Sequence, residues 1–219
     1  KIFFKYPNNT RVILDNIDIQ IKKGEVLGII GESGQGKTTL INILTGLLKP
    51  NNGNVIVDEQ DIYNNIRGWR SRIGYIPQNP FMLDDTIFNN VTFEPFKNYL
   101  ESNSQKFHNC LKDAQIYDFV QSLKDKHMTL IGERGTKVSG GQIQRISIAR
   151  ALYQDPKILI LDEATNALDE ENERRIIETI DKIKKERTVI VISHKKSALK
   201  ICNRVLKLDN GKLSEINLK

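Results

Sequence analysis

The chain of 219 residues is short of cysteine, of long apolar runs and of any repeat, and each shortage excludes a class of protein. Its two cysteines, Cys110 and Cys202, lie far apart and show none of the paired spacing of a thiolate metal site or a disulfide framework. Two inert thiols in a reducing compartment are expected. The longest uninterrupted apolar run is Val26 to Ile30, with Gly28 inside it. A helix that crosses a bilayer needs about 20 such residues, so nothing in this chain is expected to span a membrane. No basic-then-apolar leader opens it and no initiator Met precedes Lys1, which suggests a piece of a longer polypeptide. Low-complexity tracts and internal repeats are missing too, which leaves an ordinary globular chain.

With 39% hydrophobic and 27% charged residues, the composition suits one soluble domain with a lobe inserted in it. The net charge of +6 is uneven, because residues 182–219 hold 11 Lys plus Arg against 3 Asp plus Glu. Lysines dispersed over solvated helix faces account for this basic end, and no nucleic-acid partner is expected from it.

Short β-branched runs alternate with helix-length amphipathic segments, the pattern of a parallel sheet covered by helices. Buried strands are expected at "VLGII" (26–30), "IGYI" (73–76), "KILILD" (157–162) and "TVIVIS" (188–193). "RVILDNIDIQI" places Ile13, Ile17, Ile19 and Ile21 on the period of a half-exposed strand, followed by a turn at "KKGE". With "NVIVDEQDI" (54–62) it implies an antiparallel layer beside the parallel sheet. Helices are expected over 37–48, ended by Lys49-Pro50, and over 171–185, where Ile176, Ile177, Ile180 and Ile183 share a face. Asn210-Gly211 suits a two-residue type I′ turn in a terminal hairpin. The stretch 80–135 is more polar and reads as an inserted helical lobe.

"GESGQGKTT", Gly31 to Thr39, fits the phosphate-loop pattern G-x-x-x-x-G-K-[ST] between a predicted strand and a predicted helix, the context that pattern requires. Gly31, Gly34 and Gly36 let backbone N–H groups turn inward around phosphates, with Glu32, Ser33 and Gln35 between them. Lys37 is expected on the β- and γ-phosphates and the Thr38 hydroxyl on Mg²⁺, with Thr39 alongside. Asp162 and Glu163 end the strand "ILILDE" at the edge where open α/β sheets bind ligands, so Asp162 suits a Mg²⁺ carboxylate and Glu163 a general base. His194 follows the strand "TVIVIS" at the same predicted edge. A second glycine stretch, "KVSGGQIQR" (137–145), opens a helix with Ser139, Gly140 and Gly141, yet this Ser-Gly-Gly run has no lysine within it with which to hold an anion unaided.

Taken together these residues resemble the nucleotide-binding domain of ABC transporters over essentially the whole chain. "GESGQGKTT" looks like the Walker A motif, "ILILDE" like Walker B, "VSGGQ" like the signature motif and "NALD" (166–169) like the D-loop. Gln78 in "YIPQNP" matches the Q-loop glutamine, His194 the switch histidine and Tyr6 in "FFKYP" the aromatic residue that stacks on adenine. The resemblance implies a RecA-like P-loop core with an antiparallel β layer (residues 1–78 and 151–219) and a helical subdomain (about 79–150). It also implies an ATPase that uses Mg²⁺ and works as a head-to-tail homodimer. Ser139, Gly140, Gly141 and Gln142 would contact the nucleotide held by the other copy, Gln78 would reach Mg²⁺, and Asp169 would sit at the dimer interface.

"TLIGERG" (129–135) resembles the X-loop of exporters, which would place Glu133 against a fused transmembrane domain at the cytoplasmic face of a membrane, the bacterial inner membrane first among them. The cargo classes implied are lipids, lipid-linked oligosaccharides, peptides or drugs. A soluble ABC-type ATPase acting on nucleic acid or ribosomes is the alternative, although such proteins usually carry two ATPase units or a long coiled-coil insertion. An importer subunit is a further alternative, disfavoured by "TLIGERG". Departures from the family pattern are small: Val138 for Leu, Asn166 for Ser and Thr38 for Ser.

Overall fold

The computed structural model describes residues 1–94, 101–165 and 169–217. Its centre is a six-stranded sheet of β3 (Val26–Ile30), β6 (Ile73–Ile76), β7 (Ile158–Asp162), β8 (Thr188–Ile192), β9 (Arg204–Asp209) and β10 (Lys212–Ile216). The spatial order is β10-β9-β3-β8-β7-β6. All neighbours are parallel except the terminal hairpin β9–β10. Asn210 (φ 47°) and Gly211 (φ 76°) are both left-handed in its two-residue turn, as type I′ geometry demands.

Three of the four expected buried runs, β3, β7 and β8, form strands because side chains on both faces find apolar partners, whereas β6 is the edge strand and leaves Tyr75 exposed. Val26, Leu159, Leu161, Val189 and Val191 join one core. Leu27, Ile29, Ile160, Ile190 and Ile192 join a second core across the sheet. The first core is completed by α3 (Ile87–Thr92), α4 (Glu101–Asp113), α5 (Tyr117–Ser122), α6 (Gly140–Tyr153) and α7 (Glu170–Ile183), through residues such as Phe88, Phe107, Ile146 and Ile176. The second takes α1 (Lys37–Leu44) and the antiparallel pair β1 (Ile2–Phe4) and β2 (Leu14–Ile17). In α7 Ile176, Ile180 and Ile183 are buried and Ile177 partly so, which is the expected face.

Three expectations need correction. The helix predicted over 37–48 ends at Leu44, since Gly46 (φ 72°) takes the left-handed conformation that closes a helix four residues before Pro50. The strand predicted over 11–21 is confined to β2, and even there Asn16 (φ 52°) leaves extended geometry where the register with β1 shifts; Ile19 and Ile21 still pack on the second core. Residues 54–62 do not join β1 and β2 in one antiparallel sheet but form a separate small hairpin, β4 (Ile56–Val57) with β5 (Gln60–Asp61).

Short helices α2 (Ile66–Arg70) and α8 (Lys196–Leu199) complete the chain. No helix among the described residues is long and apolar enough to cross a membrane.

Burial pushes the Cys110 thiol up to about 11 and that of Cys202 up to about 12. At pH 7.5 both are protonated, and the native chain should react with iodoacetamide at least about 100-fold more slowly than a free thiol. Urea should restore ordinary labelling; fast labelling of native protein would show that one of these thiols is accessible and activated.

Candidate active site

Because β3, β6, β7 and β8 run parallel, their C-terminal ends share one edge of the sheet. The chain leaves β3 for the far strand β6 and returns through β7 to β8 at its side, and this reversal opens a crevice at the ends of the strands. The phosphate loop follows β3 into that crevice. Gly34 (φ 77°) is glycine for its backbone conformation, since a Cβ there would meet nothing within 4 Å. Gly31 is glycine for a close approach, because a Cβ would run into the Leu208 carbonyl. Gly36 caps α1 without a side chain, and the first turn of α1 holds no acidic residue, so the helix turns unmasked N–H donors and its positive end toward the loop.

Lys37 is buried at the base of this loop. Its Nζ donates to the carbonyls of Gly31 (2.6 Å) and Glu32 (3.1 Å) and lies 3.2 Å from His194 Nε2 and 3.7 Å from Glu163 Oε1. His194 Nε2 is in turn 3.4 Å from Glu163 Oε1. Three residues from widely separated parts of the sequence therefore meet at one point. Glu163 holds a left-handed backbone (φ 51°), an uncommon conformation for glutamate that fixes its side chain beyond the strand end.

Asp162 closes β7 and accepts a hydrogen bond at Oδ2 from Tyr75 Oη (2.8 Å). Burial raises the Asp162 carboxyl above its ordinary value and Glu163 adds to the rise, while the Tyr75 donor and Lys37 oppose it. Burial likewise holds the Tyr75 phenol well above its usual value, with Asp162 adding to the effect. Thr38 is exposed at the first turn of α1, and Gln78 is exposed just past β6 at the same sheet edge. Thr38, Asp162 and Gln78 offer hard oxygen donors, and with Tyr75 on Oδ2 the Asp162 carboxylate keeps Oδ1 for a cation. No cluster of three or more His, Cys, Asp or Glu able to hold a metal occurs among the described residues. That donor set fits Mg²⁺, which commonly takes one or two protein oxygens and completes its shell with phosphates and water.

Around the loop, Tyr6 Oη shares a hydrogen bond with Thr39 Oγ1 (3.0 Å) and its ring packs edge-on against Phe4. Gln35 Oε1 accepts from the Asn210 N–H (2.9 Å), and Glu32 and Ser33 are exposed.

Ser139 is the N-cap of α6 in a reciprocal capping box: its Oγ accepts from the Gln142 N–H (3.3 Å) while Gln142 Oε1 accepts from the Ser139 N–H (2.8 Å). A Cβ on Gly140 would meet nothing within 4 Å, whereas Gly141 lies against Asn172. Asn172 donates to Asp169 Oδ2 (2.5 Å) and accepts from Arg145 Nη2 (2.6 Å), so the starts of α6 and α7 are tied together. Among the described residues the hydrogen bonds of Ser139, Gln142 and Arg145 stay within α6 or run to α7 and Gln115, and none reaches the phosphate loop. Asp169 caps α7; the preceding D-loop residues Asn166, Ala167 and Leu168 lie outside the described residues. Glu133 is exposed in a 3₁₀ turn, remote in sequence from these strand ends.

Sequence reasoning missed Tyr75, Asn172 and Arg145, and also Gln144, whose buried side chain donates to Pro77 O (3.3 Å) beside Gln78. Only strand register or helix docking brings them to the site, and neither is written in local sequence.

The sequence pattern of the family described as ABC transporter matches residues 14–166. The chain belongs to the ABC transporter family. It is 41% identical over 216 residues to "Alpha-hemolysin translocation ATP-binding protein HlyB" of Escherichia coli O157:H7, covering 97% of this chain and 30% of that protein. It is 38% identical to "ATP-binding cassette sub-family B member 5" of Homo sapiens, covering 98% of this chain and 17% of that one. Among solved structures, a bacterial Atm1-family ABC exporter with ATP bound superposes with a TM-score of 0.88 at 34% identity, over 98% of this chain and 37% of that chain. The chain thus spans about a third or less of these relatives. It is an ATP-binding domain of the ABC transporter family, with the P-loop fold of that family, and such domains hydrolyse ATP to power transport.

Proposed function

We propose that this domain hydrolyses ATP with Mg²⁺ at two composite sites in a head-to-tail homodimer and thereby drives export through a transmembrane domain joined to it, at the cytoplasmic face of a bacterial inner membrane. The observation that carries this reading is the convergence of Lys37, Glu163 and His194 at the strand ends, while the capped start of α6 is tied to the start of α7 and makes no hydrogen bond to the phosphate loop among the described residues. Lys37 exchanges its loop carbonyls for phosphate oxygens as ATP enters, and the N–H groups of 31–38 cradle the remaining charge. Thr38, Asp162 and Gln78 hold Mg²⁺, whose role is to neutralise charge on the phosphates. Glu163 takes the proton of the attacking water, and His194, in contact with both Glu163 and Lys37, donates to the γ-phosphate. Tyr6 packs against adenine. Ser139, Gly140, Gly141 and Gln142 supply a hydroxyl, N–H donors and a helix N-terminus to the nucleotide of the other copy, and Asp169 borders that interface.

Two surfaces support a membrane partner. Leu47 and Tyr75 line a groove with Ile41, Asn42, Thr45, Arg70 and Ile73, and Leu47 (62%), Phe81 (68%) and Leu130 (53%) expose apolar side chains that a docked helix would cover. Near-equal identity to an alpha-hemolysin translocation ATP-binding protein and to a human sub-family B member fits a domain that supplies the power stroke while the cargo pocket lies in the transmembrane part.

Glu133→Ala tests the coupling. ATP hydrolysis by this chain alone should stay within about twofold of wild type, as expected for an exposed residue away from the chemistry, while transport by the complete transporter should fall. Equal losses in both assays would give Glu133 a local structural job and remove this support for the exporter reading.

A further inference from the structure

Glu173 is a carboxylate at 7% exposure on an α7 face that also carries Ile176 and Ile180. Its Oε2 pairs with Lys195 Nζ at 2.5 Å, and its Oε1 accepts from the Ser197 hydroxyl. The same ammonium donates to the Thr165 carbonyl at 2.9 Å. Lys195 directly follows His194, and Thr165 lies two residues after Glu163. The Lys195 N–H is also held by Ser193 Oγ at 3.0 Å, so the residues on both sides of His194 are anchored. Burying such a pair gains little stability over apolar side chains of similar volume, so its use here lies in the geometry it imposes.

We propose that Lys195 and Glu173 are positioning residues for hydrolysis: the pair bolts the segment carrying His194 to the segment carrying Glu163 and so sets the contact between their side chains, 3.4 Å in this structure. The inference rests on the roles given above to Glu163 and His194. It extends the site to α7, because the Glu173 N–H donates to the Asp169 carbonyl (2.9 Å) and Asp169 caps that helix. A shift of α7 at the partner interface would therefore reach the histidine through Glu173, beside the packing of α7 against α8.

The test is steady-state hydrolysis by the purified full chain carrying Lys195→Met, Glu173→Gln or Lys195→Arg, with binding of a fluorescent ATP analogue measured beside it. Lys195→Met and Glu173→Gln should each lower kcat about tenfold, less than the roughly 10²-fold that a full 1 Å misplacement can cost, with KM and nucleotide affinity within about twofold. Lys195→Arg should recover most of the rate. The deciding variant is His194→Ala combined with Lys195→Met: if Lys195 acts through His194, the second change costs nothing further on the first. Multiplying losses in the double variant, or a fall in nucleotide affinity that matches the fall in kcat, would overturn the positioning role and leave the pair a fold support. A wild-type chain that binds ATP but never hydrolyses it would instead overturn the parent reading.

Discussion

Glu163→Gln is expected to leave ATP binding intact and lower hydrolysis by about 10²–10⁴-fold, the range lost with a general base. The amide keeps the shape of the side chain and can still meet His194 and Lys37, but it cannot accept a proton from water. It also removes a negative charge 3.7 Å from the Lys37 ammonium, so the lysine loses a competitor to the phosphates and ATP affinity should hold or rise. With binding preserved and turnover stalled, the ATP-loaded dimer should accumulate. Phosphate release and light scattering on one sample separate the two effects. Near-normal hydrolysis would take Glu163 out of the base role, and loss of binding would mean that it supports the loop.

The same cluster explains why the chemistry sits where it does. A parallel sheet delivers β3, β7 and β8 to one edge, and backbone pairing can reach past a strand end. The Glu163 N–H, for example, donates to Ile192 O at 2.9 Å. Rigid strand ends thus fix the positions, and only the last side-chain torsions are left to set. That precision suits a reaction in which the protein does little beyond placing charge and water.

What could be read in the sequence follows from how local each signal is. The phosphate loop, Asp162, Glu163 and the Asn210-Gly211 turn each depend on a few adjacent residues, and all were legible. The end of α1 and the break in β2 were less so, since Gly46 and Asn16 act through backbone conformations that no apolar pattern announces. Hardest were contacts that require register or docking. Tyr75 reaches Asp162 only because β6 pairs with β7 in a register that sets Tyr75 beside Ile160, two residues before the aspartate. Lys195 and Glu173 read as ordinary charges on a basic chain until α7 brings them together.

The largest effect expected of any single substitution at the second glycine stretch is that of Gly140→Asp, and the structure makes it a cleaner probe than its neighbours. Ser139 carries the capping box, so its loss would cost about 1 kcal/mol of helix stability, and any side chain on Gly141 would press on Asn172. A Cβ on Gly140 meets nothing within 4 Å, and an acidic residue in the first turn of a helix is favoured by its dipole. One copy should therefore tolerate Gly140→Asp and bind ATP through its own Lys37. Closure over the partner's ATP would set a carboxylate against phosphate, and hydrolysis should vanish. Lys37→Met should also be inactive, by losing the phosphate contact in its own copy. Mixed one to one, the two inactive chains give heterodimers in which the Gly140→Asp loop meets an intact α6 start from the Lys37→Met copy. About half of the dimers would then hold one intact site of two, restoring roughly a quarter of wild-type hydrolysis. If the mixture stays inactive while the Gly140→Asp chain still binds ATP and dimerises, the α6 start serves its own copy and the composite site is wrong.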